Sequence, residues 1–136
     1  MVRTYLATAA VFLSACSAAA EDIRAVPSPN GRVVAVVSRS HVATVSDHYR
    51  IFLRPRDGGR SVEVADFYGL SDPSGRELPP EVIWTGSNNL EVRVAVAREG
   101  NVSRESAVVG GIQVRVLCLA SISRPDPNNR CVSRQR

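Results

Sequence analysis

The stretch LEVRVAVA, residues 90–97, sets Leu90, Val92, Val94 and Val96 on one side of an extended chain and Glu91 and Arg93 on the other. Side chains alternate across a strand with period two, so this pattern predicts a half-buried β-strand. GIQVRVLCLA, residues 111–120, repeats it, with Ile112, Val114, Val116 and Cys118 opposing Gln113 and Arg115. Two strands of this kind present their apolar faces to one core.

Working outward, the same reading yields further strands over Arg32 to Arg39, Tyr49 to Arg54, Ser61 to Tyr68 and Val82 to Trp84. SPNG, residues 28–31, is a turn signal: Pro29 presets φ, Asn30 tolerates the next position, and Gly31 finishes the turn. Asp57-Gly58-Gly59 closes one hairpin and residues 86–89 another. Helical periodicity competes only at Ser103 to Val109. The expectation is an all-β domain, an antiparallel meander of about six strands forming a curved sheet, a sandwich or a small barrel.

The start of the chain has a different character. Arg3 precedes an apolar run of roughly nine residues, Tyr5 to Leu13, with small residues after it, the three parts of an export signal. The run is too short to span a membrane, which takes about 20 apolar residues. Two cuts are open. Ala18 and Ala20 suit a general signal peptidase, leaving Glu21 first. Leu13-Ser14-Ala15-Cys16 resembles the lipobox of bacterial lipoproteins, in which the cysteine is alkylated by diacylglycerol, the chain is cut before it and the new amino group is usually acylated.

Two or three acyl chains make a stable anchor where one does not. The lipobox therefore implies a membrane partner through lipid on Cys16, and Ser17 resembles the pattern sorted to an outer membrane, facing the periplasm. The expected organisation is a signal over 1–15, a lipidated N-terminus and spacer over 16–27, a β domain over 28–122 and a tail over 123–136.

The cysteines are Cys16, Cys118 and Cys131. With Cys16 used as anchor, an even pair remains for an oxidising compartment, and Cys118 to Cys131 is the expected disulfide. It would pin the tail after SRPDPNNR to the last strand, stabilising the fold by roughly 3 kcal/mol in the chain-entropy account.

All 17 basic residues are arginine against 13 acids, for a net charge of +4. They are scattered and interleaved with acids rather than clustered in a stripe, and aromatic residues make up only 5% of the chain, which leaves few stacking platforms for nucleic acid. Nucleic acid is not an expected partner.

Catalytic signals are weak. His41 and His48, with Asp47 beside the latter, lack a third ligand for a catalytic zinc site. No Gly-x-Ser-x-Gly elbow exposes a serine. Glu77 and Glu81 lie in a Pro-rich loop with nothing to raise a carboxyl pKa. Gly110-Gly111 reads as a strand-entry turn, and the triplet Asn101-Val102-Ser103 carries little meaning in a bacterium. The expectation is no catalytic residue, no metal and no cofactor. Trp84 has the largest apolar side chain, with core packing favoured over an exposed binding role.

The layout resembles a family of small bacterial lipoproteins whose shared domain has no assigned function. The residues that carry the resemblance are Ser28, Pro29, Asn30, Gly31 and Arg32, then Ala43 and Thr44, then Trp84 and Leu90. It departs from that pattern at His41 and Val42, where the family has cysteine and glycine. The resemblance implies an envelope-tethered β module, binding or structural, with no enzymatic role and an envelope protein as partner.

A second resemblance, to membrane-bound C-type lysozyme inhibitors, rests on Ser74-Gly75, on VIWTG and on a late cysteine. It implies inhibition of a cell-wall hydrolase, with Ser74 and Trp84 as candidate binding residues. Leu78 stands where that family has tyrosine, and the lysine expected after the tryptophan is missing.

Overall fold

The computed structural model describes residues 20–41, 47–68, 70, 74–95, 99–102 and 105–120. Over these residues the protein is all-β, with strands β1 Glu21–Pro27, β2 Val33–Ser40, β3 His48–Pro55, β4 Val62–Tyr68, β5 Glu81–Gly86, β6 Asn89–Val94, β7 Glu99–Val102, β8 Ser106–Val109 and β9 Ile112–Ala120. They form two sheets, ordered β1-β2-β3-β4-β7 and β5-β6-β9-β8. The sheets share one core and do not close into a barrel, so of the three architectures left open by the sequence this is the sandwich.

Alternation builds that core. The first sheet turns Val33, Ala35, Val37, Ile51, Leu53 and Phe67 inward; the second opposes them with Leu90, Val92, Val94, Val114, Val116 and Cys118. Each large apolar side chain, fully buried, contributes about 1.5–3 kcal/mol from apolar area removed from water. A bulge opposite Ile51 and Phe52 lets the consecutive residues Val64 and Ala65 both be fully buried, which strict alternation would forbid.

The flanks are closed differently. On one, the chain itself crosses between sheets, with β7 pairing β4 and β8 pairing β9. On the other, the edge strands β1 and β5 are joined by a side chain: Trp84 Nε1 donates to the Val26 carbonyl at 2.9 Å, while its half-buried ring packs on the core. A buried indole needs a partner for its N–H, and here the partner lies on the opposite sheet.

The outward face of the first sheet carries a second, smaller apolar row, Ala25, Val36 and Phe52 in register. Val36 is 1% exposed although it points away from the core. In the register map the ion pair Arg54 to Asp22, at 3.3 Å, runs diagonally from β3 to β1 over Val36. Long arginine stems cover apolar surface in this way while the charge stays in water.

Three expectations change. Residues 21–27, assigned to a spacer, are strand β1. Its sequence EDIRAVP is exposed along most of its length, and β2 supplies the pairing that its own hydrophobicity does not. Of the segment with helical periodicity, residues 106–109 are strand β8, with Ala107 and Val109 inward and Val108 outward. And the strands are not a simple antiparallel meander, because β6 and β9 pair in parallel. After β6 the chain leaves for the first sheet as β7 and returns through β8, and only such a crossover permits parallel neighbours.

Candidate functional site

The sandwich has two ends, and they differ in chemistry. The first is where β1 begins, β2 ends, β3 begins and β4 ends. Glu21 faces Arg39 across the β1–β2 ladder and accepts from its Nη2 at 3.3 Å. That hydrogen bond, more than the Coulombic pull of the same carboxylate, raises the Arg39 pKa above its ordinary value. His41 Nδ1 pairs with the Asp47 carboxylate, and the Asp47 backbone N–H donates to Glu77 Oε1 at 3.3 Å.

Beneath them lies the Tyr49 ring, 2% exposed. Burial pushes its phenol up to about 12, the carboxylates of Glu77 and Asp47 add to the shift, and Arg39 opposes it. At neutral pH this phenol is a hydrogen-bonding hydroxyl and no base.

His48 sits on the outward face of the same end. Its ring stacks on Tyr68 with centroids 3.9 Å apart and planes 6° apart. Nε2 stands 3.4 Å from Asp66 Oδ2 but off the hydrogen-bond line, so this buried nitrogen has no hydrogen-bond partner among the described residues.

The second end gathers three turns: β1 to β2, β3 to β4 and β8 to β9. They enclose an open cleft of ≈ 410 Å³ lined by Asn30, Arg32, Arg56, Asp57 and the apolar Pro55 and Ile112. Backbone hydrogen bonds fix its walls. Arg56 N donates to Arg32 O at 3.0 Å, and Gly31 N donates to Ser28 O at 2.8 Å. Gly31 has φ +69°, a left-handed value that favours glycine. Arg56 Nη1 occupies the space where a Cβ on Gly31 would point, 2.8 Å away.

The residues singled out from sequence are dispersed. Cys118 is on the inward face of β9, 5% exposed and held in a disulfide. Cys16 and Cys131 lie outside the described residues, as does the lipobox. Trp84 is in the clasp between the sheets, where its N–H is satisfied. Ser74 is exposed in the β4 to β5 connection and is engaged by a partner, as is Arg76. Glu81 begins β5, and Gly110-Gly111 forms the turn between β8 and β9. Asp47 meets His41 rather than its sequence neighbour His48. Among the described residues no cluster of three His, Cys, Asp or Glu side chains could hold a metal.

Two groupings escaped the sequence reading. Glu77 reaching Asp47 joins loops thirty residues apart in sequence, which has no local signature. The arginine cleft had one: Asn30-Gly31-Arg32, Asp57-Gly58-Gly59-Arg60 and Gly110-Gly111 are three glycine turns, two with arginine beside them. Comparison with protein-family models, curated proteins and solved structures finds no match to this chain.

Proposed function

We propose that this chain is an exported bacterial lipoprotein whose β-sandwich is tethered to a membrane of the cell envelope through lipid on Cys16 and serves there as a binding or structural module. The observation that carries the reading is the lipobox Leu13-Ser14-Ala15-Cys16 placed directly ahead of the fold, whose first strand starts at Glu21. Either cut, before Cys16 or after Ala20, spares every described strand.

The architecture supports this arrangement. β1 starts, and β9 finishes, at the end that holds Arg39 and Tyr49. Fully extended, residues 17–20 reach at most about 15 Å, so that end would face the membrane closely. The arginine cleft, at the other end, would face away. In a cell with two membranes Ser17 favours the outer one, with the domain in the periplasm. The hydrolase-inhibitor reading has less support, because Ser74 lies at the tether end.

Intact mass of the membrane-fraction protein, wild type beside Cys16→Ser, tests the reading. A chain cut before Cys16 and carrying acyl groups, both lost in the variant, is the expected result. A free chain beginning at Glu21 would refute the tether.

A further inference from the structure

We infer that the cleft between the three turns is an oxyanion site, in which Arg32 and Arg56 together hold a carboxylate or phosphate group of a small ligand. Such a site names what the tethered module would hold, and so rests on that reading for its place in the cell but not for its chemistry.

Four arginines elsewhere among the described residues are matched by acids. Arg39 pairs with Glu21, Arg50 with Glu63, Arg54 with Asp22 and Arg93 with Glu91. Arg32 and Arg56 have no carboxylate within ion-pair distance among the described residues, and they line the same concavity. Arg24, Arg60 and Arg115 also have no acid partner among these residues, but none of them lines it. A guanidinium presents a rigid planar fork that matches the two oxygens of a carboxylate or phosphate, so two arginines lining one hollow suit an oxyanion.

The main chains that carry the donors are held before any ligand arrives. The backbone bond from Arg56 to Arg32 fixes the distance between their main chains, and the Arg56 guanidinium rests over Gly31 in space that any other residue would fill. Asn30 Oδ1 is already committed, accepting from Ser28 Oγ at 2.9 Å and from the Arg32 N–H at 3.1 Å. The Asn30 amide NH2 therefore remains as a third donor on the cleft wall. Among the described residues Asp57 is the single acid lining the cleft, and its Oδ1 is drawn aside by the Gly59 N–H at 3.2 Å. Pro55 and Ile112 give an apolar floor beside these donors, which suits an anion carried on a short carbon skeleton.

The test is an amide chemical-shift titration of the full chain carrying Cys16→Ser, so that the outcome does not depend on the lipid. Inorganic phosphate and acetate are added separately at constant ionic strength, with chloride as the reference. The expected result is saturable shifts confined to the amides of residues 30–32, 56–58 and 110–112. Arg32→Gln and Arg56→Gln should each weaken binding about tenfold, the loss of one charge-assisted hydrogen-bonded pair.

Asp57→Asn keeps the Oδ1 acceptor of the turn while removing the opposing charge, so it should tighten binding severalfold, a gain that damage to the fold cannot mimic. Arg115→Gln, on the outward face of the second sheet, should change nothing. Stronger binding of phosphate assigns a phosphorylated ligand, and stronger binding of acetate a carboxylated one. Shifts that follow chloride equally, or that persist unchanged in both arginine variants, would overturn the site.

Discussion

The two ends of the sandwich are both made of strand ends and turns, yet they use charge in opposite ways. At the end where β1 begins, Glu21, Asp47 and Glu77 are engaged by Arg39, by His41 and by a backbone N–H, over a buried tyrosine. At the other, Arg32 and Arg56 face a hollow with no acid paired to either among the described residues. The first end gives its acids internal partners, and the polar atoms it leaves without a hydrogen bond among the described residues, Arg39 Nε and His48 Nε2, are buried, so it behaves as structure. The second leaves donors unmatched, and unmatched donors are what a ligand can use.

Perturbations of decreasing size sharpen that contrast. The largest belongs to neither end and sets the scale: Trp84→Ala removes the clasp between the sheets and should lower the unfolding free energy in urea by about 3 kcal/mol, as aromatic truncations in cores do. Trp84→Phe, which loses mainly the hydrogen bond to Val26, should cost about 1 kcal/mol. If both variants cost the same, the bond and not the packing joins the sheets.

Next, Cys118→Ala should cost about 2–4 kcal/mol through loss of its disulfide. Thiol reductant should destabilise the wild type by a similar amount and leave the variant unmoved. A wild type indifferent to reductant would show that this end does not depend on the bridge.

At the cleft end, Gly31→Ala should cost about 1–2 kcal/mol, the strain of a left-handed backbone in a residue with a Cβ. Thermal melts measure that cost. The same variant should displace Arg56, whose guanidinium can move into solvent cheaply, and so weaken oxyanion binding by more than its stability loss explains.

The smallest effect at neutral pH comes from Tyr49, and it appears only in alkali. Its folded pKa of about 12 exceeds the ordinary value of 10.0. The unfolded chain therefore releases the proton first as pH rises. Stability is complete below pH 10 and declines between about pH 10 and 12. Denaturant midpoints in that window should fall for wild type and stay flatter for Tyr49→Phe. Glu77→Gln removes a charge that raises the folded pKa, so the gap between folded and unfolded values should narrow and the alkaline loss should be smaller.

Much of this fold was legible in the sequence, and the exceptions share a cause. β6 and β9 announce themselves because each alternates between a wet and a dry face. β1 does not, since an edge strand takes its order from a partner and EDIRAVP has little apolar content of its own. β8 is too short for two periodicities to be told apart. The parallel pairing of β6 with β9 depends on where the intervening chain travels, which no local pattern records. The candidate site was legible only in pieces: the glycine turns around Arg32 and Arg56 were visible, their convergence at one end was not. His41, His48 and Asp47 were noticed, but only as sequence neighbours; the strand start at His48 turns that ring to the other face and leaves Asp47 to meet His41.

The place of β9 has a consequence for how the chain is made. It is the latest of the described strands to leave the ribosome, yet it lies in the interior of its sheet, between β6 and β8. The first four strands can zip together in order of synthesis, each onto the one before. The hairpin of β5 and β6 cannot finish in that way. Until residues near 120 emerge, β6 keeps an open edge and an uncovered apolar face, the combination most prone to pair with another chain. The molecule is thus exposed to misassembly for a defined interval of its own synthesis, and the arrival of one strand ends it.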